Sequence, residues 1–225
     1  MPNPATGDNA RERNRALFDG AFGAVYGLYI ERERLSRLIA ALVWGSDSRP
    51  FYASMRAIGA VPDGGLIVDA PCGAGVAFRG LRPSQHVRYI ALDLSSRMLE
   101  RARHRAARLG LGQIEFVQGD AQAIPAEDSS VDLFLSYWGL HCFPDPSCAV
   151  AEMARCLRPG ARVVGGMITR GQTARHRLLV HPGRGGFGPG GTVDDLQRWL
   201  DDAGFQETTT DTSGLFAYFE AVKAT

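Results

Sequence analysis

No apolar run in this chain approaches the roughly 20 residues that a membrane-crossing helix needs, so no membrane span is expected. A dominant charge of either sign is missing too. Lys+Arg number 25 against 24 Asp+Glu, a net charge of +1, which gives no global electrostatic case for nucleic acid or an anionic membrane surface. Its four cysteines, Cys72, Cys142, Cys148 and Cys156, form no CxxC pair. Histidine and cysteine spacing supports no tetrahedral cage, so no metal site is expected. No secretory leader is visible, so reduced thiols and a cytoplasmic setting are expected. What is present is 225 residues with 45% hydrophobic content, enough for one sizeable α/β core and cramped for two.

The first sixty residues read as a helical preface, with residues 1–12 expected to be disordered. Leu35, Leu38, Ile39, Leu42 and Val43 recur at helical spacing and predict a helix from Tyr29 to Val43, with the charged residues off that stripe. A second helix is predicted over Pro50 to Ile58. From Leu66 the pattern changes to strands alternating with helices. Strands are predicted at Leu66–Ala70, Val87–Leu92, Ile114–Val117, Val131–Leu135 and Arg162–Ile168. Between them come a short helix at Val76–Leu81, a helix at Ser95–Leu109 capped by Ser95 and stopped by Gly110, and one at Pro146–Leu157 capped by Asp145. The basic stretch Arg101 to Arg108 reads as a solvated helix face. Such alternation predicts an α/β fold with a mainly parallel, doubly wound sheet over residues 61–225. A helix at Val193–Ala203 and a hairpin of Phe205–Asp211 with Leu215–Val222 would add one antiparallel strand. Residues 169–191 carry too much glycine and proline for a regular element, especially 183–191, and predict either a mobile lid or a disordered linker.

Asp69, Asp93 and Asp120 stand at the ends of three successive predicted strands. Parallel strands point their carboxyl ends one way, so these carboxylates should line one rim. Asp69 leads into Ala70-Pro71-Cys72-Gly73-Ala74-Gly75, a turn whose glycines let backbone approach a small polar ligand. Asp93 is placed to accept both hydroxyls of a ribose, and Asp120 with the small Ala121 to meet an exocyclic amine. Loops favour Asp in any case, but three in register after a glycine turn predict a nucleoside site. A nicotinamide dinucleotide wants the wider G-x-G-x-x-G turn against a pyrophosphate. This sequence has no glycine at 76 or 78.

Five segments carry a further reading: Val68 to Gly75, Ala91 to Leu99, Gly119 to Pro125, Val131 to Ser136 and Glu152 to Gly160. Together they resemble the class I S-adenosylmethionine-dependent methyltransferases, in the small-molecule branch similar to the ubiquinone/menaquinone biosynthesis enzymes. The resemblance implies a Rossmann-like fold with a seven-stranded sheet, S-adenosylmethionine as cofactor and S-adenosylhomocysteine as its product. It implies that Asp69, Ala70, Pro71, Cys72, Gly73 and Gly75 wrap the methionine portion and that Asp93 holds the ribose. Leu94 and Met98 would lie against the adenine, Asp120 and Ala121 at its amino edge, and Ser136 near the sulfonium. Pro71 departs from the family pattern, which has glycine there; it removes one N–H and fixes φ. Cys72 would be a loop-packing residue.

Methyl transfer needs a general base only if the acceptor arrives protonated. His141, just beyond the fourth strand, is the candidate base, with a loop-structural role as the alternative. Tyr137 and Trp138 are candidates for the acceptor pocket wall. Tyr26 and Tyr29 are candidates to close over the cofactor, and His176 and His181 would enter only if the glycine-rich loop folds over. A small organic acceptor methylated on oxygen or carbon is expected, aromatic or quinone-like, with nitrogen or sulfur methylation and a non-catalytic cofactor-binding scaffold as alternatives. No nucleic-acid partner is expected, and a monomer or homodimer.

Overall fold

The computed structural model describes Glu12, Asp19, Gly20, Ile30 and residues 32–170 and 190–225. Its helices are α1 (Glu33–Ile39), α2 (Arg49–Ser54), α3 (Arg56–Gly59), α4 (Ser96–Leu109), α5 (Pro146–Cys156) and α6 (Val193–Asp202). The strands are β1 (Leu66–Asp69), β2 (Arg88–Asp93), β3 (Ile114–Gln118), β4 (Val131–Tyr137), β5 (Leu157–Ile168), β6 (Phe205–Ser213) and β7 (Phe216–Lys223).

These seven strands form one sheet in the order β3-β2-β1-β4-β5-β7-β6. Pairing is parallel from β3 to β5, and β7 enters antiparallel to both β5 and β6. The sequence pattern predicted this single reversal. Side chains alternate across the sheet with a period of two. Ile67, Ala91, Leu133 and Leu135 pack under α4 and the preface on one face. Val68, Ile90, Leu92 and Phe134 pack with α5 and α6 on the other. Burying a side chain such as Phe134 contributes about 1.5–3 kcal/mol before entropy is subtracted. At the far edge β6 bulges, its register to β7 shifting between Gln206 and Thr209 with Glu207 at φ +52°.

Local signals set the helix ends. Ser95 accepts from Met98 N–H to start α4, and Gly110 at φ +69° ends it. Asp145 accepts from Cys148 N–H at 3.2 Å to start α5. Thr192 and Asp195 form a reciprocal capping box on α6.

The preface departs from expectation. In place of one helix from Tyr29 to Val43, α1 passes into a π-helical turn over Ala40–Trp44. The predicted apolar stripe faces solvent: Leu35, Leu38, Leu42 and Val43 are all exposed, and Ser36 and Ala40 are buried instead. Small residues on the contact face let the helix approach the body closely. The second predicted helix is broken at Met55 into α2 and α3, the segment after β1 is a 3-10 turn over Val76–Gly80, and β5 begins five residues before its expected start, at Leu157 rather than Arg162. Ser46 Oγ accepts from Leu215 N–H at 3.0 Å and Asp47 N–H donates to Ser213 Oγ at 2.7 Å, tying the preface to the β6–β7 turn. Among the described residues no helix is long and apolar enough to cross a membrane.

Candidate cofactor site

The strand order reverses between β1 and its neighbours β2 and β4. A doubly wound sheet opens a crevice at the carboxyl ends of its strands at such a point. One cavity lies there, and Asp69, Asp93 and Asp120 all line it.

The loop after β1 is held from below and from the side. Cys72 N–H donates to Leu92 O at 2.8 Å, fastening the loop to β2. Gly73 N–H donates to Asp93 Oδ2 at 2.8 Å. Gly73 sits at φ +53°, and a Cβ added there would meet no atom within 4 Å, so the backbone is bare toward open space. Gly75 does something else. Its φ is +76°, and a Cβ would lie 2.3 Å from the buried Phe78 ring, so its lack of a side chain serves packing. Pro71 packs on Gly139, where a Cβ would fall 2.3 Å from Pro71 Cδ.

The other strand ends complete the site. Asp93 Oδ1 accepts from Ser95 N–H at 2.9 Å, so one carboxylate joins the β1 loop to the α4 cap. That cap sets Met98 and Leu94 in the cavity lining. Asp120 Oδ1 accepts from Gln122 N–H at 2.9 Å, beside Ala121. At the end of β4, Tyr137 shares a 2.7 Å hydrogen bond with Ser54 across to α2. Trp138 takes φ +60°, uncommon for a residue with a bulky side chain, and its N–H donates to Gly166 O at 2.8 Å. Its ring packs between Phe216, 4.6 Å away, and Phe51, 5.4 Å away.

Burial governs the acid–base state. Asp69 is 1% exposed; desolvation pushes its carboxyl up to about 8 even though Tyr89 O–H donates to it at 2.8 Å, and Asp93 nearby pushes the same way. Asp93 is raised to about 6 by desolvation, opposed by its amide donors. Both folded values exceed the unfolded value of 3.8. The folded chain therefore holds more protons in that window, and its stability falls as pH rises from about 4 toward 8. We expect the thermal midpoint of the ligand-free protein to decline between pH 6 and 8, and Asp69→Asn to flatten that decline. A parent profile no steeper than that of Asp69→Asn would contradict it.

Eleven of the predicted site residues line the cavity: Asp69, Pro71, Cys72, Gly73, Asp93, Leu94, Met98, Asp120, Ala121, Tyr137 and Trp138. Ala70, Gly75, Ser136 and His141 do not. His141 is 5% exposed, its Nδ1 accepts from Ile168 N–H at 3.2 Å, and burial depresses its protonation to about 3. Ser136 is fully buried inside β4, and its Oγ has no hydrogen-bond partner among the described residues. Tyr26, Tyr29, His176, His181 and the 183–189 stretch lie outside the described residues. Gly139, Cys142, Phe143 and Pro144 also line the cavity, and no sequence signal pointed to them.

The lining combines carboxylates at one rim, a bare glycine amide backbone, and apolar faces from Leu94, Met98 and Ala121. That chemistry suits a nucleoside with a polar extension. No group of three or more His, Cys, Asp or Glu among the described residues could hold a metal.

Residues 68–165 match the family model for a methyltransferase domain. The chain is similar to an arsenite methyltransferase from Halobacterium salinarum, 28% identical over 75% of this chain and 44% of that protein. It is also similar to a ubiquinone/menaquinone biosynthesis C-methyltransferase from Methylobacterium nodulans, 38% identical over 43% of this chain and 39% of that one. The chain thus spans less than half the length of either curated relative. Among solved structures, a phosphoethanolamine N-methyltransferase from Haemonchus contortus in complex with S-adenosyl-L-methionine superposes with a TM-score of 0.74 at 15% identity, over 94% of this chain and 60% of that one, a likeness of fold. With the sheet order, the cavity at its switch point and the matched domain in agreement, residues 68–165 carry a methyltransferase domain, and the chain is similar to the class I S-adenosylmethionine-dependent methyltransferases, the ubiquinone/menaquinone biosynthesis enzymes among them.

Proposed function

We propose that this protein transfers a methyl group from S-adenosylmethionine to a small organic acceptor, on oxygen or carbon of an aromatic or quinone-like ring. The observation that carries the reading is the convergence of Asp69, Asp93 and Asp120 on one cavity beside the bare Gly73 backbone. In this reading Asp93 holds the ribose hydroxyls with the lone pairs that its two amide donors leave open. Asp120 and Ala121 meet the adenine edge, Leu94 and Met98 cover its faces, and Gly73 faces the methionine portion.

When bound, the cofactor supplies a methyl group already activated on a sulfonium. The residues of this chain then align and desolvate. Tyr137, Trp138 and Phe143 form an aromatic wall on the β4 side of the cavity, suited to stacking a flat acceptor and excluding water. Trp138 Nε1 is a buried donor with no hydrogen-bond partner among the described residues, and an acceptor oxygen would satisfy it.

We assign His141 to a supporting role. Its Nδ1 is occupied by the Ile168 amide, the ring lies behind the lining, and a group neutral down to about pH 3 makes a poor proton acceptor at neutrality. Among the described lining residues there is no histidine. The reading therefore favours acceptors that are already nucleophilic, such as a phenolate or a stabilised carbanion. Incubation with methyl-labelled cofactor and a panel of phenols, hydroquinones, amines and thiols tests it. Label should appear in the phenol or hydroquinone members. Transfer confined to amines or thiols would redirect the reading, and S-adenosylhomocysteine binding with no transfer to any member would support a scaffold instead.

A further inference from the structure

Beside the preface, with no lining residue in common with the strand-end cavity, α2, α3 and the 3-10 turn flank a groove of about 670 Å³. Arg49, Arg56, Arg79 and Arg82 line it, and the lining includes one carboxylate, Glu33. A chain with a net charge of +1 has concentrated four guanidinium groups from two regions of sequence at one place.

Three of the four are positioned by the protein itself. Arg79 donates to Glu33 Oε2 at 3.1 Å, and its guanidinium carbon lies 4.7 Å from the centroid of the Tyr52 ring. Arg82 donates to Gly59 O at 3.3 Å. Arg49 pairs with Asp47 at 2.7 Å, just outside the lining. Arg56 is exposed and makes no ion pair or hydrogen bond among the described residues. The groove therefore presents held guanidinium forks together with an uncommitted one, with more positive charge than Glu33 and Asp47 neutralise. Guanidinium forks match phosphate oxygens in pairs. The balanced overall charge gives no global electrostatic case for a nucleic acid.

We propose that this groove is a binding site for a small molecule bearing a phosphate or diphosphate. Tyr52 links it to the cofactor site: its ring lies in the groove lining, and its hydroxyl donates at 2.9 Å to the carbonyl of Ile30, a residue that lines the strand-end cavity. A ligand in the groove thus contacts the ring that holds one rim of that cavity. The phosphate belongs either to the tail of an acceptor, in which case the inference rests on the methyl-transfer reading, or to a separate effector.

Calorimetric titration of the full chain with inorganic pyrophosphate, at constant ionic strength and with sulfate as the comparison anion, tests the site without any methyl acceptor. Saturable 1:1 binding is expected, with Arg56→Gln and, separately, Arg79→Gln weakening it roughly tenfold or more. S-adenosylhomocysteine affinity, measured on the same samples, should be unchanged in Arg56→Gln, which shows that the variant is folded and keeps the two sites separate. Pyrophosphate heats no larger than those of sulfate, or parent-like binding in both variants, would overturn the proposal even if the methyl-transfer reading stands. Preference in the labelled-methyl assay for phosphorylated over dephosphorylated acceptors would identify an acceptor tail. A pyrophosphate-dependent change in S-adenosylhomocysteine affinity would identify an effector.

Discussion

Asp93→Ala is expected to weaken S-adenosylhomocysteine binding at least about a hundredfold and to lower the thermal midpoint of the ligand-free protein. Two losses coincide. In the folded chain the carboxylate accepts from Gly73 N–H and Ser95 N–H, so its removal frees the β1 loop from the α4 cap and strands two amides, at a cost of about 1–3 kcal/mol each where they stay buried. In the proposed complex, two ribose hydroxyls lose a charged acceptor, each worth about 1.5–3 kcal/mol, and 1.4 kcal/mol is a tenfold change. Asp93→Asn should fall between, because its amide oxygen can keep one backbone donor while its NH₂ opposes the other. Binding should also show a pH dependence. The free carboxyl titrates at about 6 and the complex needs it ionised, so affinity falls as pH drops through that value. Calorimetry on the three proteins at pH 5 to 8 checks the set, and unchanged affinity in Asp93→Ala would take this residue out of the site.

Gly139→Ala should also be damaging, although the glycine carries no side chain to meet a ligand. Its φ of −97° is open to any residue, so no backbone strain is involved. The obstacle is contact: the new methyl would lie 2.3 Å from Pro71 Cδ and 3.0 Å from Phe143 Cζ. The proline ring cannot rotate away, so the β1 loop must shift toward the cavity that Pro71 and Phe143 both line. Overpacking of this kind costs roughly 1–3 kcal/mol, and we expect a drop in thermal midpoint together with at least about tenfold weaker S-adenosylhomocysteine binding. Adding Pro71→Ala to Gly139→Ala should recover part of both losses. Failure of the double variant to recover either would locate the damage elsewhere in the loop.

The two substitutions divide what could be read from sequence from what could not. Asp93 was visible because strand, acidic residue and Ser95 cap are consecutive, and a parallel sheet converts that local order into a common rim. The reversed strand β7 was visible through the short Thr212-Ser213-Gly214 link. Gly139 was not visible, since its constraint comes from a residue 68 positions earlier in sequence. The helix α1 shows a related limit. Periodicity located the stripe of Leu35, Leu38 and Leu42 but not the side on which the body of the protein lies, and the small residues Ser36 and Ala40 made that contact. His141 and Phe143 sit two residues apart in one loop, and only the fold decides that Phe143 meets the cavity and His141 the back of β5.

The irregularity in β6 has a consequence for how copies of this chain can meet. An outermost strand normally offers its amides and carbonyls as an evenly spaced rail on which a neighbouring molecule can extend the sheet. Where the register to β7 shifts between Gln206 and Thr209 and Glu207 turns into the left-handed region, that spacing is interrupted partway along, and an incoming strand could match one half of the rail but not both. Joining of molecules edge to edge into a continuous ribbon is thereby disfavoured on this side.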